Sequence, residues 1–157
     1  MIGEDNVPRV LEFNCRLGDP ETQPILMRLN SDLATRCDAV LDGHIADIDV
    51  VWDKRCSLGV VMASAGYPDC YDIGLPIDGL DTPEKDTVKV FHAGTHDRDG
   101  QVLTSGGRVL CVTALGSDIE SARDLVYSTI KSIHWPGSFW RDDIGHRALA
   151  RQKTEHT

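Results

Sequence analysis

Glu12, Asn14, Arg16 and Asp19 stand close together in the segment Glu12-Phe13-Asn14-Cys15-Arg16-Leu17-Gly18-Asp19-Pro20-Glu21. On an extended strand, residues two apart share a face, so Glu12 and Asn14 point the same way, and Arg16 follows if the strand persists. Hard divalent cations such as Mg²⁺ take oxygen ligands, commonly a carboxylate plus the phosphates of a substrate. A carboxylate and an amide oxygen two residues apart supply two such ligands to one ion. An arginine beside them can stabilise charge on a transferring phosphoryl group or an acyl phosphate. Asp19 has two possible roles, to cap the helix that follows or to hold a substrate amine. The same alternation of Glu, Asn and Arg also describes the solvated face of an ordinary strand, and spacing alone does not choose between the two.

Other groups are weaker candidates. His92 and His96 have the spacing of two ligands on a helical turn, but Val88 to Phe91 reads as a strand and Gly94 opposes helix. Ser57 and Ser105 lack the strand-to-helix elbow of a hydrolase nucleophile. Trp135, Phe139 and Trp140 could stack on a base or sugar, or pack the chain end onto the core. Asp69, Asp72, Asp78 and Asp81 are not spaced as a calcium loop. The cysteines Cys15, Cys37, Cys56, Cys70 and Cys111 are irregularly spaced with no Cys-x-x-Cys pair, which suits reduced thiols rather than a zinc site or a disulfide framework.

The elements that must position these groups follow from periodicity. Val7 to Asn14 reads as a strand. Asp19 as N-cap, Pro20 at the first helical position and Glu21 in the first turn announce a helix. A break near Asn30-Ser31-Asp32, where Ser31 or Asp32 can act as cap, starts a second helix, which stops near Gly43. Ser57 to Ala63 is a buried strand, and Gly66-Tyr67-Pro68 turns the chain. Tyr71 to Glu84 is an ordered loop. Val88 to Ala93 is a strand, Asp97-Arg98-Asp99-Gly100 a hairpin turn into Gln101 to Thr104, and Arg108 to Leu115 a strong strand. Ser117 or Asp118 caps a helix to about Ile133, with Ile119, Ala122, Leu125, Val126 and Ile130 on its apolar face. An aromatic turn from Trp135 to Trp140 and a short helix from Ile144 to Arg151 complete the chain. The pattern is α+β, with antiparallel strands in its later two-thirds.

Composition narrows the partners. With 157 residues, 41% of them hydrophobic, the chain can build a core of its own. A net charge of −9 argues against nucleic acid, yet one or two arginines can still hold a phosphate in an acidic protein. No stretch approaches the roughly 20 apolar residues that span a bilayer. Met1 to Arg9 lacks the apolar centre of a signal peptide, so the expected location is cytoplasmic.

Glu12 to Pro24 resembles the closing signature of the ATP-grasp domain in the phosphoribosylamine–glycine ligase family, also called glycinamide ribonucleotide synthetases. Ser57 to Ala63, Val90-Phe91-His92-Ala93-Gly94-Thr95 and Ser105 to Leu110 are similar to segments of that family's carboxy-terminal domain. So are Arg141-Asp142-Asp143-Ile144-Gly145 and Arg147-Ala148, and all run in family order from about Arg9 to Leu149. Biotin-dependent carboxylases share the Glu-x-Asn-x-Arg core but usually continue Gln-Val-Glu-His, where this chain has Leu17-Gly18-Asp19-Pro20-Glu21.

The resemblance implies a division into residues 1–48, the end of an ATP-grasp domain (strand plus helices) with connecting helices, and residues 49–157, a small antiparallel-sheet domain with packed helices. It implies ligation of glycine to 5-phosphoribosylamine at the expense of ATP, through glycyl phosphate, in de novo purine biosynthesis. Carried over by position, Glu12 and Asn14 match the ligands of Mg²⁺ or Mn²⁺, Arg16 the catalytic arginine near the reacting phosphate, and Asp19 a substrate-positioning residue. Family members begin with a nucleotide-fold domain and the body of the ATP-grasp domain, which carry the Gly-rich phosphate loop and the ATP-binding lysines. None of these precedes Met1, which is therefore expected to be an internal methionine of a longer protein or the start of a shortened reading frame. The chain alone is expected to be inactive, with that amino-terminal portion as its partner. The alternative is a non-catalytic binding or scaffolding domain derived from such a ligase.

Overall fold

The structure, a computed structural model, describes residues 7, 9–13, 15–81 and 86–155. The first elements are the helices α1 (Thr22–Arg28) and α2 (Leu33–Leu41), followed by one 3-10 turn at Ile45–Asp47. Of the two cap candidates, Ser31 and Asp32, it is Asp32 that caps α2, its side chain accepting from the Thr35 amide at 2.7 Å. Gly43, at φ +76°, follows the end of α2 in the left-handed conformation that closes helices.

The body of the fold is an antiparallel sheet. β1 (Cys56–Ala63) and β2 (Val88–His92) precede a hairpin of β3 (Thr95–Arg98) and β4 (Gln101–Thr104). β5 (Arg108–Gly116), α3 (Ile119–Ile130), the two-residue β6 (Phe139–Trp140) and α4 (His146–Glu155) follow. The main sheet has the order β2-β5-β1-β6, and β3-β4 forms a separate ribbon. In the hairpin turn, Asp99 and Gly100 both adopt positive φ, which twists the two strands in the sense they prefer. The loop after residue 71 is ordered because it borrows the edge of β4: the Ile77 amide donates to Val102 O at 2.9 Å and the Thr104 amide to Leu75 O at 2.8 Å.

Alternation along β1 gives the sheet two faces. Leu58, Val60 and Met62 are buried with Leu110, Val112 and Ala114 of β5 against Ala122, Val126 and Ile130 of α3. α3 starts with a capping box, in which Asp118 accepts from the Ser121 amide at 2.7 Å and the Ser121 hydroxyl lies 3.2 Å from the Asp118 amide. α1 packs on β1 and β5 from the other side, where Gly59 lets the Pro24 ring approach. A Cβ on Gly59 would come within 3.4 Å of Pro24 Cδ and closer still to Thr113 and Cys111. Helices thus lie on both faces of an antiparallel sheet, an α+β arrangement.

Two expectations are corrected. The strand expected over Val7 to Asn14 is not formed at its described residues, and Leu11 and Phe13 are 73% and 82% exposed. A lone strand has no neighbour to satisfy its backbone, and no described element pairs with this one. The second correction concerns the start of α1. Glu21, not Asp19, is the N-cap residue, and it makes no side-chain cap; the Thr22 hydroxyl donates to Gly18 O instead.

Candidate active site

The signature segment approaches the sheet at the first residue of β5. Asp19 Oδ2 accepts from Arg108 Nη2 at 2.9 Å, although the two residues lie far apart in sequence. Only one carboxylate oxygen is engaged in this bond. The Arg108 guanidinium also lies 6.0 Å from the centroid of the Tyr67 ring, whose neighbour Tyr71 is 6.2 Å away and tilted by 53°. This cluster depends on Gly107, because a Cβ there would come 2.2 Å from Tyr67 Cδ2. Asp19 is therefore held by the folded sheet domain, through an arginine that follows a glycine where a side chain would displace the Tyr67 and Tyr71 rings.

Arg16 is exposed and donates to Leu17 O at 2.9 Å, so it points along its own loop. Glu12 is exposed, and Asn14 lies outside the described residues. The structure brings Asp19 and Arg108 together, while the Arg16 guanidinium bonds within its own loop. In kind, a Glu carboxylate with an Asn amide oxygen suits a hard cation. Among the described residues, no group of three or more His, Cys, Asp or Glu converges as a metal site, so Glu12 and Asn14 would need further oxygens from a substrate or from elsewhere. His92 Nδ1 lies 3.1 Å from the Thr95 hydroxyl, a local contact within the turn. Cys111 is buried beside Thr113, and burial pushes its thiol pKa up, which keeps it protonated and unreactive.

Below the signature, a cavity of about 190 Å³ is lined by Pro20, Gly59 and Val61 together with Arg141 and Ile144. Arg141 is held by a two-pronged contact with Asp143, Nε to Oδ1 at 2.8 Å and Nη2 to Oδ2 at 2.6 Å. That arginine lowers the Asp143 pKa below the ordinary carboxylate value. α3 fixes the same loop. The Tyr127 hydroxyl donates to Arg141 O at 2.7 Å and accepts from the Ile144 amide at 3.2 Å, and Arg123 Nη2 donates to Asp142 O at 2.8 Å. Burial raises the Tyr127 pKa, so its hydroxyl keeps the proton it donates.

The sequence family described as "Phosphoribosylglycinamide synthetase, C domain" matches residues 57–147. This chain belongs to that family. The chain is also similar to the phosphoribosylamine–glycine ligase of Allochromatium vinosum, 55% identical over 154 residues, which is 98% of this chain and 36% of that protein. The ligase of the same name from Salmonella typhimurium is 51% identical over 154 residues, again 98% of this chain and 36% of that protein. A crystal structure of the Thermotoga maritima phosphoribosylamine–glycine ligase superposes with a TM-score of 0.72 at 35% identity, covering 91% of this chain and 34% of that one. The chain thus spans 36% of the length of these curated relatives. Arg108, Tyr67 and the 141–147 loop fall within the matched residues, and Glu12 to Asp19 precede them. Arg108 and Tyr67 were not singled out by sequence reasoning. The signal available was the Gly-Gly-Arg run opening a strong strand, which reads as a turn until its aromatic neighbours are seen.

Proposed function

We propose that this chain is the carboxy-terminal part of a phosphoribosylamine–glycine ligase, a carboxylate–amine ligase of purine biosynthesis that acts in the cytoplasm. The observation that carries the reading is the 55% identity to such a ligase over 98% of the chain. In this reading residues 1–48 close an ATP-grasp domain and residues 49–157 form the C-terminal domain. The rest of the active site comes from the portion of the enzyme that the relatives carry beyond this segment.

Glycine's carboxylate takes the γ-phosphoryl group of ATP, releasing ADP, and the amine of 5-phosphoribosylamine attacks the glycyl phosphate, forming the amide of glycinamide ribonucleotide and releasing phosphate and a proton. Glu12 and Asn14 would hold Mg²⁺ or Mn²⁺, which when bound offsets negative charge on the phosphates. Arg16 stabilises charge at the reacting phosphate. Asp19 positions the substrate amine. Its geometry supports that role: Arg108 engages one carboxylate oxygen and leaves the other able to accept from an amine.

The test is ADP release dependent on ATP, glycine and phosphoribosylamine, with Mg²⁺ present. The chain alone is expected to give none, and the enzyme that includes the remaining portion to turn over. In that complete enzyme Glu12→Ala lowers turnover on the order of a hundredfold or more with no loss of fold. Near-normal turnover by Glu12→Ala would remove the ligand assignment. No turnover by the complete enzyme would leave the non-catalytic scaffold as the better reading.

A further inference from the structure

We propose that the cavity beside α4 is a subsite for a sugar phosphomonoester, with Arg147 and Arg151 as its phosphate ligands. The inference rests on the ligase reading and deepens it, by naming where the phosphate end of the amine substrate is held. The cavity measures about 390 Å³, within the range of small-molecule sites. Its lining sets Arg141, Arg147 and Arg151 against one carboxylate, Asp143. That local excess of positive charge sits in a chain whose net charge is −9.

The three arginines differ in what they already hold. Arg141 is committed to Asp143 through both of its prongs. Arg147 and Arg151 are four residues apart on α4, so they share one face of the helix. Neither has a hydrogen-bond or ion-pair partner among the described residues. Two like charges at this spacing repel, and the one carboxylate in the cavity lining, Asp143, already has both oxygens engaged by Arg141. A phosphomonoester would offset them, because guanidinium groups match its oxygens with paired N–H donors.

The location suits a substrate that carries an amine at one end and a phosphate at the other. Arg141 and Ile144 line both this cavity and the smaller one, which Pro20 also lines. Asp19, proposed above to hold the amine, directly precedes Pro20 in the chain. The shared wall is fixed by the Tyr127 and Arg123 contacts to the 141–144 loop, so the two stations stand in a set relation.

Two measurements test the assignment. Ribose 5-phosphate, a stable stand-in for the amine substrate, is titrated by calorimetry against this chain and against its Arg147→Gln/Arg151→Gln double variant, with ribose as control. Binding that needs the phosphate and weakens at least about tenfold in the double variant is expected. Equal binding by both proteins, or equal binding of ribose, overturns the subsite. Circular dichroism confirms the variant's fold, and Arg147→Lys, which keeps the charge, should retain part of the affinity. In the complete enzyme each single Gln variant should raise KM for phosphoribosylamine about tenfold and leave KM for ATP and glycine unchanged. A rise in KM for ATP instead assigns the arginines to the nucleotide and overturns the proposal. Phosphate-dependent binding by this chain that is lost in the double variant, with no ligase turnover by the complete enzyme, would uphold the subsite and reject the ligase reading.

Discussion

The segment up to Trp52 and the sheet domain beyond it treat their apolar residues in opposite ways. From Cys56 onward, the alternating strands and the stripe of α3 close on one another, and Met62, Leu110, Val112, Val126 and Ile130 are fully buried. Before that, Leu11, Phe13, Val40 and Leu41 stay exposed, although their spacing is that of core residues, and Ala39 is the one described residue of α2 that is buried. Hydrophobic patterning yields a core only where both surfaces of the contact belong to the described chain. Besides the packing of α1 on β1 and β5, a polar link joins the regions: Arg28 Nε and Nη2 donate to Asp53 O at 3.2 and 3.0 Å, and Asp53 in turn pairs with Arg55 at 2.6 Å.

The widest gap should appear in core truncations. Leu110→Ala is expected to cost about 2–5 kcal/mol in urea unfolding, and Phe13→Ala less than about 0.5 kcal/mol. A comparable loss for Phe13→Ala would break the contrast. Two glycines with nearly the same backbone sharpen it. A Cβ on Gly79 (φ +84°) would lie 1.8 Å from Ser132 O, whereas Gly43 (φ +76°) has nothing within 4 Å. Gly79→Ala should therefore cost about 3 kcal/mol and Gly43→Ala about 1 kcal/mol, read from thermal midpoints. The smallest effect concerns the polar link. Hydrogen bonds from Arg55 hold Asp53 at a pKa of about 2, below its ordinary value. The stability this contributes is fully present above about pH 4 and is lost as pH falls through about 2. The fall in urea midpoint across that window should be shallower in Asp53→Asn, and an unchanged slope would remove Asp53 from the account.

Much of this was legible because it is local. The Asp32 and Asp118 caps, the stop at Gly43, the Asp99-Gly100 turn and the apolar face of α3 each depend on residues a few positions apart. What was not legible depends on distant partners. The Asp19–Arg108 ion pair takes from Asp19 the capping role its position suggests, and nothing near Asp19 announces it. β6 is only Phe139 and Trp140, a strand solely because β1 offers it an edge. The strand expected at Val7 to Asn14 did not form at its described residues for the converse reason. Of the candidate site, the sequence suggested Asp19, but its partner Arg108, distant in sequence, emerged only from the fold.

The pairing of β1 with β5 also sets how the chain must fold. Ala63 pairs with Arg108 and Cys56 with Gly116, so the central ladder joins residues more than forty positions apart. The entropy of closing that loop must be met before the ladder gives anything back, while the β3–β4 hairpin can form within the loop at little cost. Refolding of this domain should therefore be paced by the search for that one long-range pairing, and substitutions in the hairpin turn should leave the rate almost untouched.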